Sequence, residues 1–432
     1  MKNVLKSDHF YYSTTLLITS MFLIISGIII IIGNKVFYFN LMNILISIIL
    51  LLSIIQFIKY LFYNKNKDIN FLTSFLYLTL GIIIYSFKGI PLSFLPIIFA
   101  IYMIINGIIK LISYILLLKT KSNGKLLNIF LSIIYLLIGI PLLFSPLKNI
   151  STMLIILGIY SILLGINFLL NFININIPLN IKSKLRSRFR ITLPSFLAAI
   201  IPYQVLKEIN SYILNNNQKK LDYKKNTKDY NLEIFIHVAP TSYNKFGHVD
   251  ICINNKIISY GAYDTSTSRF FNMIGDGMIF TVDRNRYINY CTKYSNKTLF
   301  CFRLKLNDKQ LKKVNERINS IMNNVIKYKT PYELNNVNKK IKYKDYPSNL
   351  VRKAKASFFK VNSGTFKTFF ILGVNCCRLA NYIIGNNGND ILKISGIITP
   401  GTYYEYLNQE LYIKNSIVVS KIIYNNKNSK LK

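Results

Sequence analysis

Six apolar stretches fill the first 180 residues of this 432-residue chain, and nothing else in the sequence limits its fold as severely. They run roughly from Thr14 to Gly33, Leu41 to Phe62, Asn70 to Phe87, Leu92 to Lys110, Leu126 to Phe144 and Ile150 to Phe172. Each is close to the ~20 residues that a helix needs to cross ~30 Å of hydrocarbon. A helix is also the open-ended element that satisfies its own backbone in lipid. No Asp, Glu, Arg or His interrupts the six. Ion and proton pathways keep ionisable groups at depth, so this part reads as an anchor or scaffold rather than a transporter. Asn106 and Asn167 are mild polar groups of the kind that join helices.

The loops predict an orientation. Lys2, Lys6, Lys59, Lys65, Lys67, Lys119, Lys121, Lys125, Lys182, Lys184, Arg186, Arg188 and Arg190 flank one side of the six spans. Only Lys35, Lys88 and Lys148 flank the other. The positive-inside rule then places the N-terminus and everything after residue 180 in the cytoplasm of a multi-pass cell-membrane protein. The first apolar run is too long for the core of a signal peptide and lacks a small-residue cleavage site.

The six spans also repeat. Gly27, Gly81 and Gly139 sit alike in the first, third and fifth, and Ser53, Gly107 and Gly165 follow each by 26 residues. Pro91 and Pro146 recur between the later pairs. The pattern predicts an all-α transmembrane bundle of three helical hairpins, with small residues letting helices approach closely and making a homo-oligomer possible. It resembles the HdeD-like membrane family of short paired-helix repeats. That resemblance implies an integral membrane protein of six helices and no particular reaction.

Composition narrows the rest. The chain is 51% hydrophobic and 16% charged, with a formal net charge of +37. Ile, Asn, Lys and Tyr abound and Trp is absent, the residue usage of an AT-rich genome, so part of the charge is codon bias. The Lys are scattered, and no nucleic-acid-binding motif accompanies them. Anionic head groups near Lys182–Arg190 are the expected partner, worth on the order of 1 kcal/mol per well-placed cation. The five cysteines (Cys252, Cys291, Cys301, Cys376 and Cys377) form no CxxC pair, and His9, His237 and His248 are the only histidines. No metal site and no cofactor are expected. The irregular spacing reads as reduced thiols.

Residues 181–232 read as a junction. IKSKLRSRFR belongs at the head groups, and Ile191–Leu206 is an apolar run interrupted by Pro194 and Pro202. It reads as an interfacial or domain-packing helix. The alternative is a seventh span, which would carry the C-terminal domain outside. Residues Asn215–Asp229 are polar and read as a linker.

Residues 233–425 change to an α+β pattern, with a polar tail at 426–432. LEIFIHV alternates as a half-buried strand does. HVDICI, the turn at NNK and IISYG read as a hairpin opened by His248 and closed by Tyr260. Met278–Val282, Thr298–Leu306 and Ile417–Ile423 read as strands. Leu306–Asn324 reads as a helix capped by Asn307 or Asp308, with Leu311, Val314, Ile318 and Ile321 on one face. Lys327–Ala356 reads as a basic, loop-rich stretch. FILGVNCCRLANYIIG places Cys376 and Cys377 where an extended run becomes a helix, beside unpaired N–H groups that favour a thiolate.

A hairpin opened by His, followed about 130 residues later by an Asn-Cys pair starting a helix, resembles the circularly permuted papain-like group. That group includes the NlpC-type hydrolases and the relatives of lecithin retinol acyltransferase. The resemblance rests on LEIFIHV, GHVDICINNKIISYG and VNCCRLANYII. It implies Cys376 as nucleophile and His248 as general base. The orienting residue would fall at Tyr260, in place of the family's usual second His, or at Asp264 just beyond. Asn375 and Tyr243 are candidates for the oxyanion or substrate site. The implied activity is cleavage or transfer at an amide or ester bond of a peptide, isopeptide or lipid-linked substrate. The alternative is a non-catalytic binding module of the same shape. Cys252, Cys291, Cys301 and Cys377 read as small buried hydrophobes, His237 as a satisfied core residue, and His9 as interfacial.

Overall fold

The computed structural model describes residues 2–63, 71–119, 125–176, 223–224, 229–238, 247–270, 273–295, 297–335, 343, 345–385, 399–412 and 416–424. Lys182–Arg190, Ile191–Leu206, Tyr243 and the tail at 426–432 lie outside these residues. The described chain divides into two compact units, one holding most of the long apolar helices and the other holding the sheet.

The N-terminal region is helical: α1 Lys2–Tyr63, α2 Phe71–Ser86, α3 Gly89–Lys119, α4 Lys125–Phe144 and α5 Ile150–Asn176. Five segments are long and apolar enough to cross a membrane: Ser13–Gly33 and Lys35–Tyr60 within α1, then α3, α4 and the Ile150–Leu170 part of α5. The third predicted span, α2, has 16 residues and falls short of that length. Ile32, Leu126 and Phe144 are each about 80% exposed, an arrangement that lipid explains and water does not.

The first two predicted spans are one continuous helix. Residues 34–40 (NKVFYFN) contain no proline, so nothing local ends the helix begun before them. An unbroken helix of 62 residues rises roughly 93 Å, about three times the hydrocarbon thickness. Both apolar halves share one bilayer only if the helix breaks between them.

The repeated small residues make contacts between different repeats. A methyl group at Gly27 would meet the Gly158 carbonyl oxygen at 2.7 Å, and one at Gly165 would meet the Ser20 carbonyl oxygen at 3.0 Å. These join the first half of α1 to α5. Gly81 of α2 lies against Ser53 in the second half of α1. Gly139 of α4 lies against the Ala100 carbonyl of α3, and Ser132 Oγ donates to the Gly107 carbonyl at 2.8 Å. The expected close approach is present, between repeats rather than within each hairpin.

The C-terminal region is built on a nine-stranded antiparallel sheet. Its strands are β1 Tyr223–Lys224, β2 Leu232–Val238, β3 His248–Ile253, β4 Lys256–Gly261, β6 Met278–Asp283, β7 Thr298–Leu304, β8 Val325–Tyr328, β9 Ser357–Val361 and β11 Val418–Tyr424, in the order β1-β11-β7-β2-β3-β4-β6-β9-β8. A two-stranded ribbon pairs β5 (Ile274–Asp276) with β10 (Thr368–Phe370). The sheet therefore reaches back into the expected linker, where Tyr223 pairs with Lys421.

Alternation along the strands sorts side chains onto two buried faces. Ile234, Ile236, Val249, Ile251, Ile258, Tyr260, Phe300 and Phe302 form one core with the helices Asp308–Met322, Cys376–Ile384 and Pro400–Tyr412. Phe235, Cys252, Ile257, Phe280 and Cys301 form the other, with Tyr287 and Leu350 from the helices Arg284–Asn289 and Tyr346–Ala354. The helix Asp308–Met322 is capped by Asn307 in a box with Gln310, and it buries Val314, Ile318 and Ile321 as its periodicity predicts. The stretch read as loop-rich contains two helices, Pro331–Leu334 and Tyr346–Ala354, each begun by a polar cap and a proline.

Candidate active site

The helix bearing Cys376 covers the first face of the sheet, yet its N-terminus meets a residue of the second. Asn375 caps this helix: its Oδ1 accepts the Arg378 N–H at 3.0 Å, and its Nδ2 donates to the Ile371 carbonyl at 2.9 Å. Both polar ends of Asn375 are thus engaged by backbone. Cys376 follows as the first helical residue and is 6% exposed. The Cys377 thiol, His248 and the Val249 backbone N–H all favour the thiolate form of its sulfur. The Cys377 hydrogen bond contributes most, burial opposes it, and the charge on His248 adds to it, so the Cys376 thiol is held well below the ordinary thiol range. Burial and the neighbouring Cys376 push the Cys377 thiol well above that range.

His248 opens β3 with its side chain 20% exposed. Its Nε2 lies 2.9 Å from Ser259 Oγ, 3.3 Å from Tyr263 Oη and 3.2 Å from Asp250 Oδ1. Ser259 and Tyr263 are themselves 2.8 Å apart. These partners all meet Nε2. Burial works against a charged imidazole here. The Cys376 thiolate and the Asp250 carboxylate outweigh it and raise the His248 pKa. The thiol is pushed down and the imidazole is pushed up.

The residues around His248 are not the ones the family pattern implied. Tyr260 points to the opposite face, where its hydroxyl donates to the Phe366 carbonyl at 3.1 Å. Asp264 caps the short helix Thr265–Thr267 and pairs with Lys360 at 2.6 Å. Lys360 and Ser266 together outweigh its partial burial and keep its carboxyl below the ordinary value. Neither hydrogen-bonds His248. Ser259 and Tyr263 take that place, Asp250 Oδ1 stands 3.2 Å from Nε2, and Tyr243 lies outside the described residues.

Under His248 lies a buried polar group of His237, expected as a satisfied core residue, with Asp250 and Tyr287. His237 pairs with His248 across β2 and β3, with ring centroids 5.1 Å apart. Its Nε2 is 3.0 Å from Asp250 Oδ2, which also accepts the Tyr287 hydroxyl at 2.7 Å. Burial, then the charge of Lys297, lowers the His237 pKa to about 4, so this imidazole is neutral at physiological pH. His237, His248 and Asp250 bring ligand-type atoms within 4.8 Å of one another, the one such cluster among the described residues.

Comparison with known proteins bears on the N-terminal region. Residues 72–144 match a family described as a short repeat of unknown function (DUF308). No curated protein and no solved structure matches the chain. The match and the long apolar helices together define a class: a multi-pass membrane protein. Within that class, this chain joins a short-repeat helical region to a sheet-rich C-terminal region.

Proposed function

We propose that the sheet-rich region is a circularly permuted papain-like domain, and that the protein is a membrane-anchored cysteine hydrolase or acyltransferase. The observation that carries the reading is the Cys376 thiol at a helix N-terminus, lowered by Cys377 and His248, with the buried Asp250 3.2 Å from His248 Nε2. His248 holds the proton lost by Cys376. The thiolate attacks the carbonyl carbon of an amide or ester, and the Cys376 backbone N–H stabilises the oxyanion. As the C–N or C–O bond breaks, His248 protonates the leaving group, and a thioester remains on Cys376. Water or an amine, deprotonated by His248, then attacks the thioester and returns the thiol. The substrate class is peptide, isopeptide or lipid-linked.

The test uses the full chain in membranes and a thiol-directed electrophilic probe built on an acyl group. Wild type should label at Cys376, Cys376→Ser should lose that label, and His248→Ala should slow it by about a hundredfold or more. Equal labelling of wild type and Cys376→Ser would sink the nucleophile assignment and favour a binding module.

By the excess of Lys and Arg on one side of the spans, this domain works in the cytoplasm. A topology reporter fused after Lys432 should be active only there. Activity outside the cell would reverse the orientation.

A further inference from the structure

Asp250 carries a carboxylate at 1% exposure, and its two oxygens are not equivalent. Oδ2 accepts the Tyr287 hydroxyl at 2.7 Å and contacts His237 Nε2 at 3.0 Å. Oδ1 receives no aligned hydrogen bond, although His248 Nε2 stands 3.2 Å away. A carboxylate only accepts, so His237 must carry its proton on Nε2. Asp250, His237 and Tyr287 come from three separate elements, β3, β2 and the helix Arg284–Asn289. Filling the same space with apolar side chains would be at least as stable. Stability alone does not account for the cluster.

We propose that His237 and Tyr287 are positioning residues: by occupying Oδ2 they fix the plane of the Asp250 carboxylate and turn its bare Oδ1 towards His248. The carboxylate then stabilises the imidazolium without taking its proton, while Ser259 and Tyr263 receive the Nε2–H. The charged groups facing this cluster are His248 and, on the His237 side, Lys297. Tyr263, Tyr287 and Cys291 also face Asp250, and burial raises the pKa of each, so they stay neutral. This proposal rests on the Cys376–His248 reading above.

The test follows alkylation of Cys376 by iodoacetamide against pH in the full chain, and needs no substrate. Asp250→Asn should move the upper limb of the profile, where His248 loses its proton, downward by about 1–3 pH units, the range for loss of one nearby opposite charge. Tyr287→Phe and His237→Leu should move it in the same direction, by less. His237→Gln, whose amide N–H can reach Oδ2, should restore the wild-type limb. A limb unmoved in Tyr287→Phe and His237→Leu would overturn the proposal while leaving the Cys–His pair in place. A wild-type profile like that of an ordinary thiol would instead overturn the reading beneath it. Tyr287→Phe keeps the ring that fills the core, so it serves as the decisive variant should a His237 substitution fail to fold.

Discussion

Between pH 5 and 8, the rate at which iodoacetamide alkylates Cys376 is expected to stay within about threefold. An ordinary thiol with a pKa near ~8.5 loses about tenfold in rate per unit below that value. The sign follows from the two shifts. The thiol is lowered and the imidazole raised, so the ion pair fills the whole window between them. Below the window the thiolate is protonated, and above it the imidazolium loses its proton. The shape of the profile is the informative quantity, not the rate at one pH. Nucleophilicity falls with thiol pKa at a Brønsted slope of about 0.4–0.5, so a strongly acidic thiolate is abundant but individually slow. As pH falls below the ordinary thiol range, the abundance of the ion pair increasingly outweighs its lower nucleophilicity. A mass-spectrometric time course at Cys376, with buried Cys301 as internal reference, makes the measurement. A tenfold drop per pH unit at Cys376 would remove the ion pair.

Replacing Glu233 with Ala is expected to cost the sheet-rich region about 3–5 kcal/mol, because it strands two partly buried arginines. Arg284 Nη2 donates to Glu233 Oε1 at 2.9 Å, and Arg303 Nε donates to the same oxygen at 3.1 Å. The Glu233 side chain is 3% exposed, and Cys301 Sγ also donates to it at 3.4 Å. Burial alone would raise this carboxyl. The guanidiniums of Arg284 and Arg303 outweigh burial and hold it below its ordinary value. The stabilisation is complete above the unfolded glutamate pKa of ~4.3 and is lost as pH falls through the lower folded value. The readout is the denaturant concentration at which Cys301 becomes reactive, compared between wild type and Glu233→Ala. A change of less than about 1 kcal/mol would mean that the arginines turn to solvent easily and that the cluster does not hold the sheet.

Much of the sheet was legible from alternation, and so was the thiol at a helix start. The residues beside His248 were legible too, through arithmetic on the hairpin. Asn254 and Asn255 both have positive φ, 48° and 60°, as a two-residue turn of the mirror-image type requires. Such a turn fixes Ile253 opposite Lys256 and hence Asp250 opposite Ser259. His248 and Asp250, two apart on β3, share that face, whereas Tyr260 turns away because one residue reverses a strand's side chain. The family pattern pointed one residue off, and one residue is the width of a sheet. His237 was harder to place. Its register with His248 depends on a connection between β2 and β3, at residues 239–246, that carries no turn signature as tight. In the helical region, hydropathy marked each apolar stretch but could not register that residues 34–40 continue a helix. Apolar runs report where lipid lies more faithfully than where a helix ends.

The contacts of the small residues carry a consequence for how many repeats such a chain can hold. Each repeat packs such small-residue surfaces against both of the others, the first repeat through the two halves of the continuous helix α1. Three units therefore saturate one another, as a closed polymer has no growing end. A chain cut to two hairpins would keep two unsatisfied surfaces and should complete itself with a second copy, exchanging units between molecules. The intact chain has spent these small-residue surfaces internally, so any larger assembly must be cemented by other parts of its lipid-facing exterior.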